Sequence, residues 1–487
     1  MMAGDQALSV DAAVIGGGSA GLAAACALAE SGYPSVLVVE RERRLGGVLP
    51  QCVHDGFGLH LYGASLTGPE YARRWIDRAE EDGVRVALNA TVLSIAREGE
   101  GFSIEAVGAS LGGRARIVAR CVVVATGCRE RTRGALQIPG GRPAGILTAG
   151  TAQYMMNVAD QLPGDKAVIL GSGDIGLIMA RRLVLEGAEV RMVLGQEATG
   201  LLRNHIRCIQ DFSIPFRSGW GVARIHGFGQ LQGVTVAPLD GEGGFDLDRA
   251  EYIRCNLLLL ACGLIPEREV LAGVGEGDGL YVCGNANLPH DLVDQVTQEG
   301  LRRGFDAACR LAELDGAQPP ELPGDLARMA ALSIAEPKGR LSQLGEAAPA
   351  GVERIVCTVC PTGCVIGAGP DGEVSGNACA RGAAYAAREL ACPHRLFTGT
   401  VKVEGAADGR ALAPVRTDGE VPQASLRAVA CACRRLTLRA PVALGQTVAE
   451  NVAGTGARLV AADDVASLCG GDPSGGEAAG PLMPDGK

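Results

Sequence analysis

The chain has 487 residues, 47% of them hydrophobic and 21% charged, the composition of a folded globular protein long enough for two to four domains. Glycine is in excess at 71 residues with no three-residue period, which excludes collagen and leaves a fold of many tight turns and close backbone approaches. With 55 acidic against 45 basic residues the net charge is −10, and the lack of any basic block argues against a nucleic-acid partner.

No apolar run approaches membrane-spanning length; the longest, near Leu257–Ala261 and Cys121–Ala125, have the length of strands. The N-terminal stretch carries Asp5 and no basic segment, so the reading is a cytoplasmic chain without a signal peptide and without direct membrane insertion. Seventeen cysteines in such a chain read as core thiols, cofactor ligands or redox groups, not as a disulfide framework.

In chain order, the first element is a buried-strand run, Ala12–Ile15, followed by Gly16-Gly17-Gly18-Ser19-Ala20-Gly21. This is G-x-G-x-x-G: Gly16 permits the turn, Gly18 admits a pyrophosphate against the backbone, and Gly21 lets the next helix lie close to the sheet. The following strand, Val36–Val39, ends in Glu40, 19 residues after Gly21, where a carboxylate accepts the hydroxyls of an adenosine ribose. A glycine-rich loop then carries Cys52 and His54. They read either as a packed thiol with a structural histidine, or as a thiolate or proton donor beside the bound cofactor.

Further on, Cys121–Gly127 is a strand ending in Ala125-Thr126-Gly127. A second strand–glycine–helix unit follows at Ala167–Gly176, with Gly171, Gly173 and Gly176 in G-x-G-x-x-G register. Its next strand, Glu189–Leu194, ends at Gly195-Gln196-Glu197 with neither a clean terminal acid nor an arginine pair, so the site reads as NAD(P) without a preference between NADH and NADPH. Leu257–Pro266 returns the chain, and Gly279–Asn285 leads to a helix at Asp294–Gly300.

These motifs, over roughly residues 8–315, resemble the two-dinucleotide-domain flavoproteins of the pyridine nucleotide–disulfide oxidoreductase superfamily. The resemblance implies an α/β fold of two nested Rossmann-like domains. It places FAD on Gly16, Gly18, Ser19, Ala20, Gly21, Glu40, Arg41, Gly47, Ala125, Thr126, Gly127, Gly284, Asn285 and Val296. It places NAD(P)H on Gly171, Gly173, Asp174, Ile175, Gly176 and Gly263. Asn285 stands where the superfamily usually has aspartate, and no C-x2-C or C-x4-C pair occurs in residues 1–350, so dithiol–disulfide chemistry is disfavoured.

The expected division is an FAD domain of residues 8–150 and 268–316, an NAD(P) domain of residues 151–267, a Pro/Ala/Gly-rich linker at 317–350 with room for a short helix at residues 329–336, a cysteine domain at 352–469 and a disordered tail at 470–487. In the cysteine domain, Cys357, Cys360 and Cys364 are spaced C-x2-C-x3-C, and Cys379 follows 14 residues later. Three thiols within one tight loop suit a [4Fe–4S] cluster best; structural zinc and a metal-free thiol site remain the alternatives. The spacing resembles the segment that opens molybdopterin oxidoreductases, but nothing else of those enzymes is present. The runs Cys357–Cys364, Gly376–Gly382, Cys392–Val403 and Ala449–Ala461 resemble a small α+β CxxC-motif domain associated with anaerobic glycerol-3-phosphate dehydrogenase-like flavoproteins. Cys392, Cys431, Cys433 and Cys469 read as packing residues.

The expectation is an FAD-dependent pyridine nucleotide oxidoreductase. It would pass electrons between a nicotinamide, FAD and a C-terminal [4Fe–4S] cluster, as partner of a separate FAD-dependent dehydrogenase for glycerol 3-phosphate or another 2-hydroxy acid. Two readings stand beside it. One is a single-cysteine flavin reductase using Cys52 on peroxide, dioxygen or a small disulfide, with a zinc-structured C-terminal domain. The other is a redox-sensing or scaffold protein that holds FAD for stability.

Overall fold

A computed structural model describes residues 8–195, 204–241, 243–334, 353–357, 359, 364–369 and 372–468. The apolar run Leu8–Ile15 forms β1, buried at its C-terminal end. It pairs in parallel with β2 (Val36–Val39) on one side and β6 (Gly113–Val124) on the other. With β3 (Arg85–Ala87), β4 (Ala90–Glu98) and β5 (Gly101–Gly108) the sheet order is β3-β2-β1-β6-β5-β4. A later strand, β15 (Leu280–Val282), adds to β6 in parallel after the chain has passed through the second sheet, so the first sheet is built from two separate stretches of the chain.

Helix α1 (Ser19–Glu30) is half alanine and is buried from Ser19 to Leu28. Such a smooth helix packs where another backbone comes very close. The long helix α6 (Val293–Leu314) does so: a Cβ on Gly300 or Gly304 would lie 2.2 and 2.3 Å from the carbonyl oxygens of Ala20 and Ala24. Only glycine fits at those two positions.

The second domain has a parallel sheet in the order β7-β14-β8-β9-β10, of Ile146–Thr148, Leu257–Leu260, Lys166–Leu170, Glu189–Gly195 and Phe216–Ser218. An antiparallel sheet of β11 (Trp220–Gly227), β12 (Leu231–Pro238) and β13 (Glu251–Arg254) lies beside it. Because β7 pairs with β14, the chain enters the second domain before residue 150, where the motif spacing alone puts the boundary. Three residues are too few to display a strand period, and their role is decided by which sheet accepts them. Helices α3 (Ala149–Asn157), α4 (Asp174–Leu185) and α5 (Asn204–Gln210) cover this domain.

The stretch expected as a linker is folded in its first half. Gly324–Ala331 forms a helix whose Leu326 is fully buried in the core of the first domain. Asp325 pairs with Arg78 at 2.6 Å, and Gln298 Nε2 donates to the carbonyls of Met329 and Leu332. The helix overlaps the short one read at residues 329–336 but begins earlier, directly after Pro323. Residues 335–350 and the expected tail at 470–487 lie outside the described residues.

The C-terminal portion has two lobes. One joins β16 (Glu353–Val356), β17 (Val365–Ala368), β18 (Val374–Ser375) and helix α7 (Ala380–Ala391). The other is a five-stranded sheet, β21-β19-β20-β23-β22, of Thr437–Arg439, Thr398–Glu404, Leu412–Thr417, Leu459–Ala461 and Thr447–Ala449, with helix α8 (Leu426–Cys433). It docks on both nucleotide domains. Arg182 Nη2 donates to Thr400 Oγ1 at 2.8 Å, Arg395 Nε to Asp211 at 2.7 Å, and Arg416 Nε to Glu70 at 2.7 Å. Backbone Ala411 N–H donates to Val158 O at 2.9 Å. Among the described residues no helix is long and apolar enough to cross a membrane.

Candidate functional site

The first glycine turn is shaped by forbidden Cβ positions. Gly16 has φ +107°, and a Cβ there would lie 2.4 Å from Ala125 O; one on Gly21 would lie 1.8 Å from Gly16 O. At Gly18 a Cβ would meet only the Cα of Gly47, at 3.8 Å, so Gly18 keeps its open side for a ligand. Gly18 is also the N-cap of α1, no side chain caps the helix, and its first turn carries no acid. The N–H groups around Ser19 and Ala20 therefore form an anion-binding end. Glu40 is 5% exposed and accepts Gly17 N–H at 2.7 Å on Oε2 and Glu42 N–H at 2.8 Å on Oε1. A carboxylate oxygen has a second lone pair for a ribose hydroxyl. Arg41, next in sequence, has a largely exposed side chain.

The rest of the expected FAD set converges on the same end of the sheet. Ala125 N–H donates to Ile15 O, Thr126 Oγ1 to Glu267 O at 2.5 Å, and Gly127 sits at φ +73°. At the return strand, Gly284 has φ +61°, and a Cβ there would lie 2.8 Å from Ala20 and 3.1 Å from Val296. Gly284 N–H donates to Glu299 at 3.0 Å, and Glu299 also accepts from Asn287 and His290. Burial pushes this carboxyl up, but the His290 and Asn287 contacts outweigh it and hold it below the usual range. Asn285 Oδ1 accepts His290 N–H at 2.9 Å.

The second cradle repeats the glycine pattern but differs at its helix, whose first turn carries an acid, Asp174. Gly171 has φ +117° and a Cβ there would clash with Ala261 O. One on Gly176 would lie 2.2 Å from Gly171 O, whereas one on Gly173 meets nothing within 4 Å. Asp174 and Ile175 open α4, whose N-cap Gly173 has no side-chain cap. Gly263 turns at φ +99° near Arg131. Gln196 and Glu197 lie outside the described residues. Both cradles thus combine a pyrophosphate-sized open glycine with an uncapped helix end, and the donor sets fit FAD and NAD(P)H.

Cys52 is buried; its Sγ donates to Val48 O at 3.4 Å and to Gln153 Oε1 at 3.5 Å. Burial pushes the thiol up to about 12, so it is held as a neutral thiol. His54 Nδ1 lies 3.2 Å from Asp55 O and its ring 4.8 Å from that of Phe57.

In the C-terminal lobe, Cys357 N–H donates to Cys364 O at 2.8 Å, extending the β16–β17 ladder past its last pair. Cys379 is the N-cap of α7, and a Cβ on Gly382, one turn into that helix, would lie 3.8 Å from Cys357 Sγ. The Gly382 N–H, and then neighbouring Arg381, hold the Cys379 thiol below its usual range. Three of the four expected ligands therefore sit on adjoining elements; Cys360 lies outside the described residues. Among the described residues no three His, Cys, Asp or Glu side chains form a ready metal cage.

Two buried positions that join distant parts of the chain, Arg207 and Gln153, escape a reading of the sequence. Arg207, on α5 of the second domain, is buried; its Nη2 donates to Val356 O at 2.9 Å and its guanidinium lies 4.8 Å from the Tyr385 ring centroid. No local pattern announces a contact across 149 residues. Gly300 and Gly304, by contrast, carry a helical small-residue spacing that a sequence can show.

Two nested dinucleotide cradles on parallel sheets, with the return strand and α6 closing the first, define a two-domain flavin- and nicotinamide-dependent oxidoreductase. The chain belongs to the pyridine nucleotide-disulphide oxidoreductase family, whose model matches residues 10–290. Residues 380–463 match a second family, described as a protein of unknown function (DUF1667). The chain is 27% identical over 344 residues to the hydrogen cyanide synthase subunit HcnB of Pseudomonas aeruginosa, covering 66% of this chain and 70% of that protein. It is 26% identical over 350 residues to one of the subunits of opine oxidase from Agrobacterium tumefaciens, covering 66% and 65%. Thioredoxin reductase of T. acidophilum superposes with a TM-score of 0.50 at 21% identity, over 63% of this chain and 99% of that one, which shows the shared fold. The protein is an FAD-dependent pyridine nucleotide oxidoreductase with a small fused C-terminal domain.

Proposed function

We propose that the protein passes electrons between a nicotinamide, FAD and a [4Fe–4S] cluster held by Cys357, Cys360, Cys364 and Cys379, as the electron-transfer partner of a separate dehydrogenase for glycerol 3-phosphate or another 2-hydroxy acid. The observation that carries this reading is the docking of the cysteine lobe on the nicotinamide domain. Arg207 reaches from α5 to the carbonyl next to Cys357, while Arg395 Nε donates to Asp211 of the second domain and its Nη1 to Glu389 of α7. Such a tie holds a redox lobe at one fixed position.

Bound FAD supplies both two-electron exchange with a nicotinamide and single-electron exchange with an iron–sulfur centre. The chain's own residues do the positioning. Gly18 and the α1 N-terminus receive the pyrophosphate, Glu40 the ribose, and Gly173 with the α4 N-terminus the second dinucleotide. The lowered Cys379 thiol suits a thiolate ligand, since ligation requires the deprotonated sulfur. Cys52, neutral and buried, lends no support to a single-cysteine reductase. The two relatives are themselves named as subunits, in keeping with a partner chain.

The test is iron and acid-labile sulfide analysis of anaerobically purified protein. The reading expects about four of each per chain beside a flavin spectrum, with Cys357→Ser and Cys379→Ser losing iron while keeping flavin. One zinc, or no metal, overturns the cluster and detaches the C-terminal domain from electron flow.

A further inference from the structure

Where the three domains meet, a cavity of about 40 Å³ lies between the loop at Val53–Asp55, helices α3 and α4, and Thr398 of β19. That is room for roughly two or three water-sized groups. Its lining, which also includes Cys208 of α5, contains none of the motif glycines and none of the four expected cluster cysteines.

Its polar walls can be accounted for group by group. Asn157 Nδ2 donates to Gln51 O, and Asn157 Oδ1 accepts from Arg182 Nε, both at 2.8 Å. Arg182 Nη2 is shared between Thr400 Oγ1 and Glu186. Gln153 is 1% exposed, and its Oε1 accepts from Gln51 Nε2 at 3.2 Å and from Cys52 Sγ at 3.5 Å. These two donors fix which end of the amide is oxygen. Gln153 Nε2 is then left buried without a partner, and so is Arg181 Nε on the same cavity wall.

Buried polar groups are almost always paired, so two exceptions on one cavity call for a cause. Both are donors, and the complement of two donors is an acceptor. Arg182 is paired with Glu186, so Arg181 and Asp55 are the charges left on the wall and together set no sign. One of the two unpaired donors is itself a guanidinium N–H, and a charged donor bonds more strongly to an anionic acceptor than to a neutral one.

We propose that this cavity is a binding site for a small oxyanion, a carboxylate group or an inorganic ion of similar size, seated on Gln153 Nε2 and Arg181 Nε. Because Gln153 also accepts the Cys52 thiol, the bound anion is linked through one side chain to the loop that follows the FAD ribose acid. Because Thr398 forms part of the wall, the site is complete only with the C-terminal domain docked.

Flavin-loaded protein is melted in sodium acetate and in sodium nitrate, against sodium chloride at equal ionic strength. The proposal expects a saturable rise in Tm of about 3 °C that chloride does not give, since only ligand bound to the folded state stabilises it. Acetate alone would identify a carboxylate ligand, and both salts together an unselective oxyanion site. Gln153→Glu keeps the volume and the acceptor role toward Gln51 and Cys52 but puts a negative charge in the cavity; it should abolish the rise while flavin content is retained. If that variant loses flavin, Gln153→Met serves in its place. Equal response to all three salts, no response, or a response that survives the substitution means that water alone fills the cavity and overturns the proposal.

Discussion

Glu70 divides its carboxylate between two domains: Oε2 accepts the Thr67 backbone N–H at 2.8 Å, and Oε1 accepts Arg416 Nε at 2.7 Å. Thr67 and Glu70 form a capping box on helix α2 (Gly68–Glu81) of the FAD domain, whereas Arg416 belongs to β20 of the C-terminal domain. One side chain thus starts a helix and anchors a neighbour.

Glu70→Ala removes both roles at once. A lost cap costs about 1 kcal/mol and a lost hydrogen bond to a charged partner about 2 kcal/mol. Glu70→Gln has a single acceptor oxygen and should fall between Glu70→Ala and the wild type. The check is the denaturant midpoint of the flavin-loaded protein, with hydrogen exchange across Thr398–Glu404 and Leu412–Thr417. Unchanged exchange in those strands would show that Arg416 does not hold the domain.

Gly173 and Gly176 separate ligand binding from folding. A Cβ at Gly173 meets nothing within 4 Å, but one at Gly176 runs into Gly171 O. Gly173→Ala should leave Tm and flavin content as they are and raise KM for the nicotinamide by about tenfold, because it crowds only a pyrophosphate. Gly176→Ala should lower Tm, since a backbone must move. Steady-state kinetics and calorimetry on the pair decide it. Equal effects of the two substitutions would contradict this placement of the second dinucleotide.

The buried thiols predict a loss of stability at alkaline pH. Burial pushes Cys52, Cys208 and Cys255 up to about 12, against about 8.5 in an unfolded chain. A raised thiol favours the protonated, folded state; the unfolded chain gives up its proton first. The contribution is therefore whole below about pH 8.5 and is lost as pH rises toward 12, with a slope of up to about 1.4 kcal/mol per pH unit for each thiol. Denaturant midpoints measured under reducing conditions should be level near pH 7 and fall above about pH 9. Cys255→Ala, far from either cradle, should make the fall shallower.

How much of the fold and site can be read from the chain depends on how local each feature is. The two glycine turns are legible because the turn, the open glycine and the helix end lie within six consecutive residues, from Gly16 to Gly21 and from Gly171 to Gly176. The strand-terminal position of Glu40 follows from one strand length. The order of the nested domains follows from the order of the motifs. The strand Ile146–Thr148 escapes such a reading because three residues carry too little period to be told from loop, whereas the short helix read at residues 329–336 is found a few residues earlier, at Gly324–Ala331.

Local sequence dictates the chemistry of the binding turns, because backbone conformations at glycine and the donors of a helix end are set by the residues that make them. What those turns face is decided only when the chain is folded. The contact of Gly300 and Gly304 with Ala20 and Ala24, the reach of Arg207 to the carbonyl before Cys357, and the shared cavity at Gln153 all join residues far apart in the chain. Such pairings depend on which buried surfaces fit together at close packing, and no local pattern encodes the partner.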